Sequence, residues 1–521
     1  MNVLLVLPLV IPQATAVVAL LMRRWRAAQR VVSVAGALGL VAACVAIFER
    51  VWTSGVQAVQ MGGWTAPFGI TLVADPLSAG LLLVASVAAL IVVLYSLTGI
   101  DERREQFEYW PLTFVLLMGV NGAFITGDIF NLYVWFEVLL IASFVLLVLG
   151  NEKAQLDGAV KYVGINLVSS TAFLAAIGLL YGATGTLNMA DLAGQLEPLR
   201  GAGLEATLAA LFLVAFGIKA AIFPLFFWLP ASYHTPPAPV AALFAGLLTK
   251  VGVYSLLRMF TLLFAEPTGY TQTLLLVLAG LTMLVGVLGA LVERNLPRLF
   301  AFLVVSAMGY ILMGLGLYTE GGLAGAIFYT LQDVLVKATL FLVAGLVLKE
   351  TGEVVLDRMG GLYRYRPLLA GLFIVPAFSL AGFPPFPGFW GKLALVRAGL
   401  EAGRPVIVGV ALVVGLLTLL VAGQVWSRAF WRNPSSEGEE QQVATPVPAL
   451  QTGPVALLVA VVFALGIYAQ PLYALAERAT GALLDSESYI EAVGPERQTD
   501  SHAPSDDAGH GDGHSEDSEG H

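Results

Sequence analysis

Stretches of about twenty apolar residues follow one another along most of this chain, and no other feature constrains its fold as strongly. A helix of roughly 20 residues crosses hydrocarbon about 30 Å thick. In lipid every backbone polar group must find its partner inside the protein, which leaves helices or closed barrels. Such runs occur at 2–22, 31–48, 77–98, 110–127, 129–149, 161–183, 206–229, 238–261, 272–292, 298–318, 322–348, 367–400, 404–426 and 452–471. Gly127-Asp128 divides the run 110–149 into two helices. Pro384-Pro385 and Pro387-Gly388 interrupt 367–400, which reads as one helix broken within the membrane. The expected architecture is an all-α polytopic membrane protein with about fourteen transmembrane helices.

Composition agrees. Of 521 residues, 58% are hydrophobic and 12% charged, where soluble proteins average about 45–50% and 25%. That excludes a soluble enzyme, a nucleic-acid binder and a disordered protein. Cys44, the single cysteine, excludes disulfide frameworks, cysteine-ligated zinc and iron–sulfur clusters. The net charge of −9 belongs to the end of the chain, since residues 476–521 hold twelve acids and two arginines. This stretch lacks the apolar groups that favour ordering and is expected to be disordered. His502, His510, His514 and His521 lie in it among acids. A plain solvated tail is the simpler reading, weak divalent-metal binding the alternative; no metal is assigned.

Loop charges set the expected orientation. Arg23, Arg24, Arg26, Arg30, Arg103, Arg104, Lys153, Arg294, Arg298, Lys349, Arg358, Arg364, Arg366, Arg428 and Arg432 fall in alternate loops. Arg50, Arg200, Arg397 and Arg404 fall in the others. Both termini are therefore expected on the non-cytoplasmic side of a cell membrane. No positive residue precedes the first helix and no small-residue cleavage site follows it, so a removable signal is not expected.

The informative residues are charges inside the apolar runs. A charge at the bilayer centre costs at least about 2.5–3.5 kcal/mol. Glu137 lies eight residues into its run, about 12 Å deep at 1.5 Å per residue. Lys219, Lys250 and Lys337 are similarly deep, and Lys392 follows the proline break. Asp333 and Lys337 are four apart, acid first, the spacing of an ion pair on one helical face. Any one lysine can snorkel to the headgroups, and any one pair can serve packing alone. Six such groups left unpaired would cost on the order of 15–20 kcal/mol. They are expected to face one another or water along a common interior path, as in a proton or ion relay.

Two aromatic- and proline-rich segments, Phe223–Pro230 and Phe383–Trp390, adjoin Lys219 and Lys392. Proline removes a backbone hydrogen bond and clashes with the preceding turn. Irregular backbone at membrane depth is tolerated where it lines a wet cavity, and paired broken helices in two halves point to a transport site. An ordinary packing kink is the plainer alternative for each. His234, the one histidine outside the tail, either gates proton uptake or caps a helix. Gly391-Lys392 is not a phosphate loop, because Phe386 and Leu393 occupy positions that need glycine and Ser/Thr. No cofactor is indicated.

Gly217–Pro224, Trp228–Pro237 and Leu248–Tyr254 resemble the core signature of antiporter-like subunits. That superfamily includes the proton-pumping membrane subunits of respiratory complex I and the Mrp multisubunit cation/proton antiporters. Gly62–Ile70 and Ala74–Ser78 most resemble the D-type chain of Mrp complexes. The resemblance implies two inverted five-helix repeats, at about 110–261 and 272–426, each with a broken helix. They follow N-terminal helices in 1–109 and precede a last helix region, 427–475, and the tail from 476. It implies that Glu137 and Lys219 form the glutamate–lysine pair of the first half, with Lys250 connecting, Lys337 central to the second half and Lys392 terminal. Gln332 stands where relatives often carry histidine, so transfer there relies on water or Asp333.

The expected function is a membrane subunit of a cation/proton antiporter, with sodium the favoured cation, working beside other membrane subunits in the bilayer and binding no nucleic acid. The alternative is a proton-pumping subunit, itself without redox centres, of a complex I-like oxidoreductase or membrane-bound hydrogenase.

Overall fold

A computed structural model describes residues 3–196, 203–265, 269–433 and 448–494. The chain opens with α1 (Leu7–Leu21) and α2 (Arg26–Ser54), then the hairpin β1 (Gln57–Gln60) and β2 (Thr71–Ala74). Next come α3 (Pro76–Gly99), α4 (Glu102–Gln106), α5 (Tyr109–Ile125), α6 (Ile129–Val148), α7 (Lys153–Thr184), α8 (Met189–Gln195) and α9 (Leu204–Lys219). The short α10 (Trp228–Ser232) and α11 (Ala238–Leu243) lead through a π-helical turn, Phe244–Leu248, into α12 (Thr249–Leu262). There follow α13 (Gly269–Val292), α14 (Leu296–Leu317), α15 (Glu320–Thr351), α16 (Leu362–Tyr365), α17 (Pro367–Ala381), α18 (Pro387–Glu401) and α19 (Pro405–Val425). The described chain closes with α20 (Ala449–Ile467), α21 (Ala469–Leu484) and α22 (Ser486–Val493).

Eleven helices among the described residues are long and apolar enough to cross a membrane. The other three expected runs fall on the shorter apolar helices Tyr109–Ile125 and Pro367–Ala381 and on the interrupted α9. Their burial separates inside from outside. The apolar windows of Ala238–Leu262, Leu296–Leu317 and Glu320–Thr351 are 100%, 94% and 89% buried, against 33% for Arg26–Ser54 and Ala449–Ile467. The core thus lies around α11–α12, α14 and α15, and the apolar faces of the outer helices are left to lipid or to neighbouring chains.

Local chemistry sets the helix ends. Asp75 and Ser78 form a reciprocal capping box at the start of α3, satisfying two amides that lack intrahelical acceptors. Asn295 and Thr319 cap α14 and α15. Beyond α9 the chain cannot continue as helix through Pro224. Trp228 Nε1 donates to the carbonyl of Ile218 at 3.0 Å, beside the bond that carbonyl accepts from Ala221 N, and Thr282 Oγ1 accepts from Phe223 N at 3.0 Å. Gly252 on α12 lets that helix touch the break, since a Cβ there would lie 2.6 Å from Ala220 N. In the second half, residues 382–386 separate α17 from α18.

Two features depart from the sequence expectation. The hairpin, with Gln57 opposite Ala74 and Gln60 opposite Thr71, adds a small sheet to an otherwise helical chain. Order also extends past residue 476. In α21, Leu472, Leu475, Ala476, Ala479 and Leu483 are buried, a helical stripe that packs on α3 and α15. Tyr489 and Val493 of α22 are buried as well. Mean polarity hid these amphipathic helices, because a stripe this narrow is outweighed by its polar face. The four tail histidines lie outside the described residues.

Asp128, just before α6, caps that helix by accepting from Asn131 N at 2.6 Å. Burial nevertheless pushes its carboxyl up to about 6. A raised carboxyl pKa favours the protonated folded state, so this contribution is full below the ordinary value of 3.8 and is lost as pH rises through about 6. Asp128→Asn keeps the cap and removes the buried charge. At pH 8 it is expected to stabilise the detergent-solubilised protein by about 1–3 kcal/mol, a gain in thermal midpoint that shrinks as pH falls toward 5.

Candidate functional site

Glu137 sits on α6 among aromatics. Its carboxylate accepts a hydrogen bond from Ser170 Oγ on α7. Phe136 stacks on Phe216 at 5.9 Å, and Phe173 meets Phe216 edge-on at 4.9 Å. The Lys219 ammonium, at the end of α9, lies over the Phe136 ring, 5.5 Å from its centroid. The expected Glu137–Lys219 ion pair is not formed, because the carboxylate is turned to Ser170 and the ammonium to the ring. Lys219 is 5% exposed, and nothing among the described residues accepts from its Nζ. Tyr233 Oη and Thr249 Oγ1 are likewise buried without a protein partner among those residues. Groups of this kind are satisfied by water.

The centre is tighter. Lys250 Nζ lies 2.7 Å from Asp333 Oδ2, and Lys337 Nζ lies 3.7 Å from Asp333 Oδ1. All three side chains are at most 1% exposed. The lysines complete their shells with carbonyls: Lys250 donates to Ala245 O at 3.0 Å and Lys337 to Leu303 O at 2.8 Å. Ala245 belongs to the π-helical turn, and such turns recur at functional sites. The Asp333–Lys337 contact matches the spacing expected from sequence. The Lys250–Asp333 contact joins α12 to α15 and had no local signal.

At the second break, Lys392 Nζ donates to Leu380 O at 2.8 Å and Ala381 O at 3.2 Å, the last carbonyls of α17. It lies 4.5 Å from the centroid of Tyr310. A cavity of about 300 Å³ adjoins it, lined by Tyr310, Phe383, Phe389 and Leu416 among others.

His234 stands apart from the lysines. Its Nδ1 contacts Pro230 O at 2.9 Å. Burial holds its imidazole below the ordinary range, and the charges that act on it are Arg298, Glu293 and Lys161. It therefore lies at the arginine-bearing end of the bundle.

One buried pair went unanticipated. Arg258 Nη2 pairs with Asp75 Oδ2, with the two side chains 3% and 1% exposed. The guanidinium lies 4.9 Å from the Tyr489 ring and 5.6 Å from Tyr254. Arg258 occupies the apolar helix that carries Lys250, so the rule that singled out the lysines applied to it too.

Comparison with known proteins follows the same lines. Residues 126–418 match the family model described as NADH:quinone oxidoreductase/Mrp antiporter, transmembrane. The D-type chain of the Na(+)/H(+) antiporter of Alkalihalophilus pseudofirmus is 43% identical over 493 residues, covering 95% of this chain and 99% of the relative. Its counterpart of the same name in Bacillus subtilis is 40% identical over 499 residues, covering 95% and 99%. Among solved structures, a chain of the Mrp complex from Dietzia sp. superposes with a TM-score of 0.86 at 32% identity, covering 95% of this chain and 100% of that one. A chain of respiratory complex I from Thermus thermophilus gives 0.80 at 26% identity, covering 92% and 99%. By family match, identity over nearly its whole length and shared fold, this chain belongs to the NADH:quinone oxidoreductase/Mrp antiporter family.

Proposed function

We propose that this chain is the D-type membrane subunit of a multisubunit Na+/H+ antiporter and carries protons along Glu137, Lys219, Lys250, Lys337 and Lys392. The observation that carries the reading is the buried Lys250–Asp333–Lys337 cluster, in which two lysines share one carboxylate. A purely structural pair needs one lysine. With two, a proton arriving on one neutral lysine amine makes an ammonium that competes for Asp333 and repels the charge on the other, which drives that second proton onward. In a water-poor interior such coupling is strong. Lys219 and Lys392 extend the line at either end, each beside a helix break of the kind tolerated where backbone lines a wet cavity, and a cavity adjoins Lys392.

The matching breaks after Lys219 and before Lys392 support two inverted repeats, 110–261 and 272–426, and the loop charges support termini away from the cytoplasm. Partner subunits of the kind that make up an Mrp complex belong beside the outer, weakly buried helices. A redox-driven pump is the second reading, favoured by the fold shared with the chain of respiratory complex I. The higher identity to antiporter subunits supports the first.

Glu137→Ala tests the relay. In everted vesicles holding the whole complex, dye-quench antiport is expected to fall to near background while the chain inserts normally. Wild-type antiport in this variant would remove Glu137 from the path.

A further inference from the structure

Ser379 is fully buried in the last turn of α17. Its Oγ accepts from Gly388 N, in the first turn of α18, at 3.1 Å, and donates to Gln332 Oε1 of α15 at 3.3 Å. Gln332 Nε2 donates to Tyr329 O at 3.2 Å, which fixes the end of the amide that faces the serine. The two half-helices touch at this point, since a Cβ on Gly388 would overlap Ser379 O. The contact admits only glycine.

The first amides of a helix have no intrahelical acceptor, so the serine hydroxyl supplies what α18 lacks. Lys392 follows Gly388 by four residues and shares its face of α18. Its ammonium is held by the carbonyls of Leu380 and Ala381, the two residues after Ser379. Gln332 immediately precedes Asp333. One hydroxyl therefore ties the helix of the shared carboxylate to the helix of the terminal lysine.

We propose that Ser379 and Gln332 are positioning residues: their hydrogen-bonded clasp on Gly388 N holds Lys392 in place relative to Lys337 and so sets the last proton transfer. The proposal rests on reading Lys392 as the end of the relay. Neither clasp residue titrates. The ionisable groups around it are Asp333, Lys337 and Tyr329 from α15, Lys250 from α12, Tyr310 from α14 and Lys392 itself.

Two measurements on the reconstituted whole complex test it. Ser379→Ala is expected to lower the maximal antiport rate by up to about 100-fold, the scale of a reacting group misplaced by roughly 1 Å, with little change in the cation KM. Ser379→Thr, which keeps the hydroxyl, is expected to restore most of the rate. The second measurement reads position without transport. Cys44 is the chain's only cysteine, so Lys392→Cys with Cys44→Ala presents one thiol beside the cavity. Adding Ser379→Ala is expected to change its reaction rate with a small maleimide several-fold. An unchanged labelling rate would overturn the clasp, whatever transport does. Changed labelling with wild-type antiport supports the clasp and counts instead against the relay role of Lys392. If Ser379→Ala does not assemble, Gln332→Leu, which frees the serine from α15, takes the same two measurements, and each result bears on the clasp in the same way.

Discussion

Asparagine at position 333 should silence antiport while leaving the shape of the core intact. The side chain keeps its size, yet two ammonium groups within 4 Å of it lose their shared counter-charge. Removing one partner of a buried ion pair costs about 3–5 kcal/mol, and here the remaining cations also repel each other. We expect antiport near background and a clearly lowered thermal midpoint for the solubilised complex. Adding Lys250→Met should return part of the lost stability, because one of the two unpaired charges and their mutual repulsion are gone, without returning transport. That split separates the cost of an unpaired charge from the loss of a proton carrier. Wild-type antiport in Asp333→Asn would take the central cluster out of the mechanism.

The second large effect is expected at Lys392. Arginine keeps the positive charge and still finds the Leu380 and Ala381 carbonyls, but it does not release a proton at physiological pH. Methionine keeps the length and loses the charge. A relay group must alternate between charged and neutral forms, so both variants should assemble and both should transport about 100-fold less, the scale of a lost acid–base group. A scaffold role orders them differently, with arginine near normal and methionine impaired in assembly. Proton flux and complex assembly measured together decide between the two. An active arginine variant would exclude a titrating role for Lys392.

What the sequence disclosed follows from which forces act locally. Hydrophobic length marks membrane helices because the bilayer imposes it, and the proline-rich segments marked the breaks because proline removes backbone donors. Asp333 and Lys337 were legible as a pair through helical spacing alone. The Lys250–Asp333 contact was not, since it depends on how α12 packs against α15. Glu137 and Lys219 were expected to touch. The resemblance supplied that pairing, and the Phe136 ring that Lys219 faces and the Ser170 hydroxyl that Glu137 accepts from carry no pattern in the sequence. Arg258 and the stripe from Leu472 to Leu483 were readable by rules already in use and were overlooked, the first for lack of a nearby acid and the second because average polarity masked it.

The shell around Arg258 has a consequence for biosynthesis. Asp75 leaves the ribosome early, Arg258 midway, and Tyr489, which covers the guanidinium, nearly last. The arginine can pair with its acid as soon as α12 inserts, but its second face stays open until α22 folds back. A chain released before that helix leaves the guanidinium with one uncovered side, at the N-terminal end of α3, in an otherwise finished bundle. Closure of the bundle is thus registered at a single cation, and the last described helix serves as the seal on a bundle begun early in the chain.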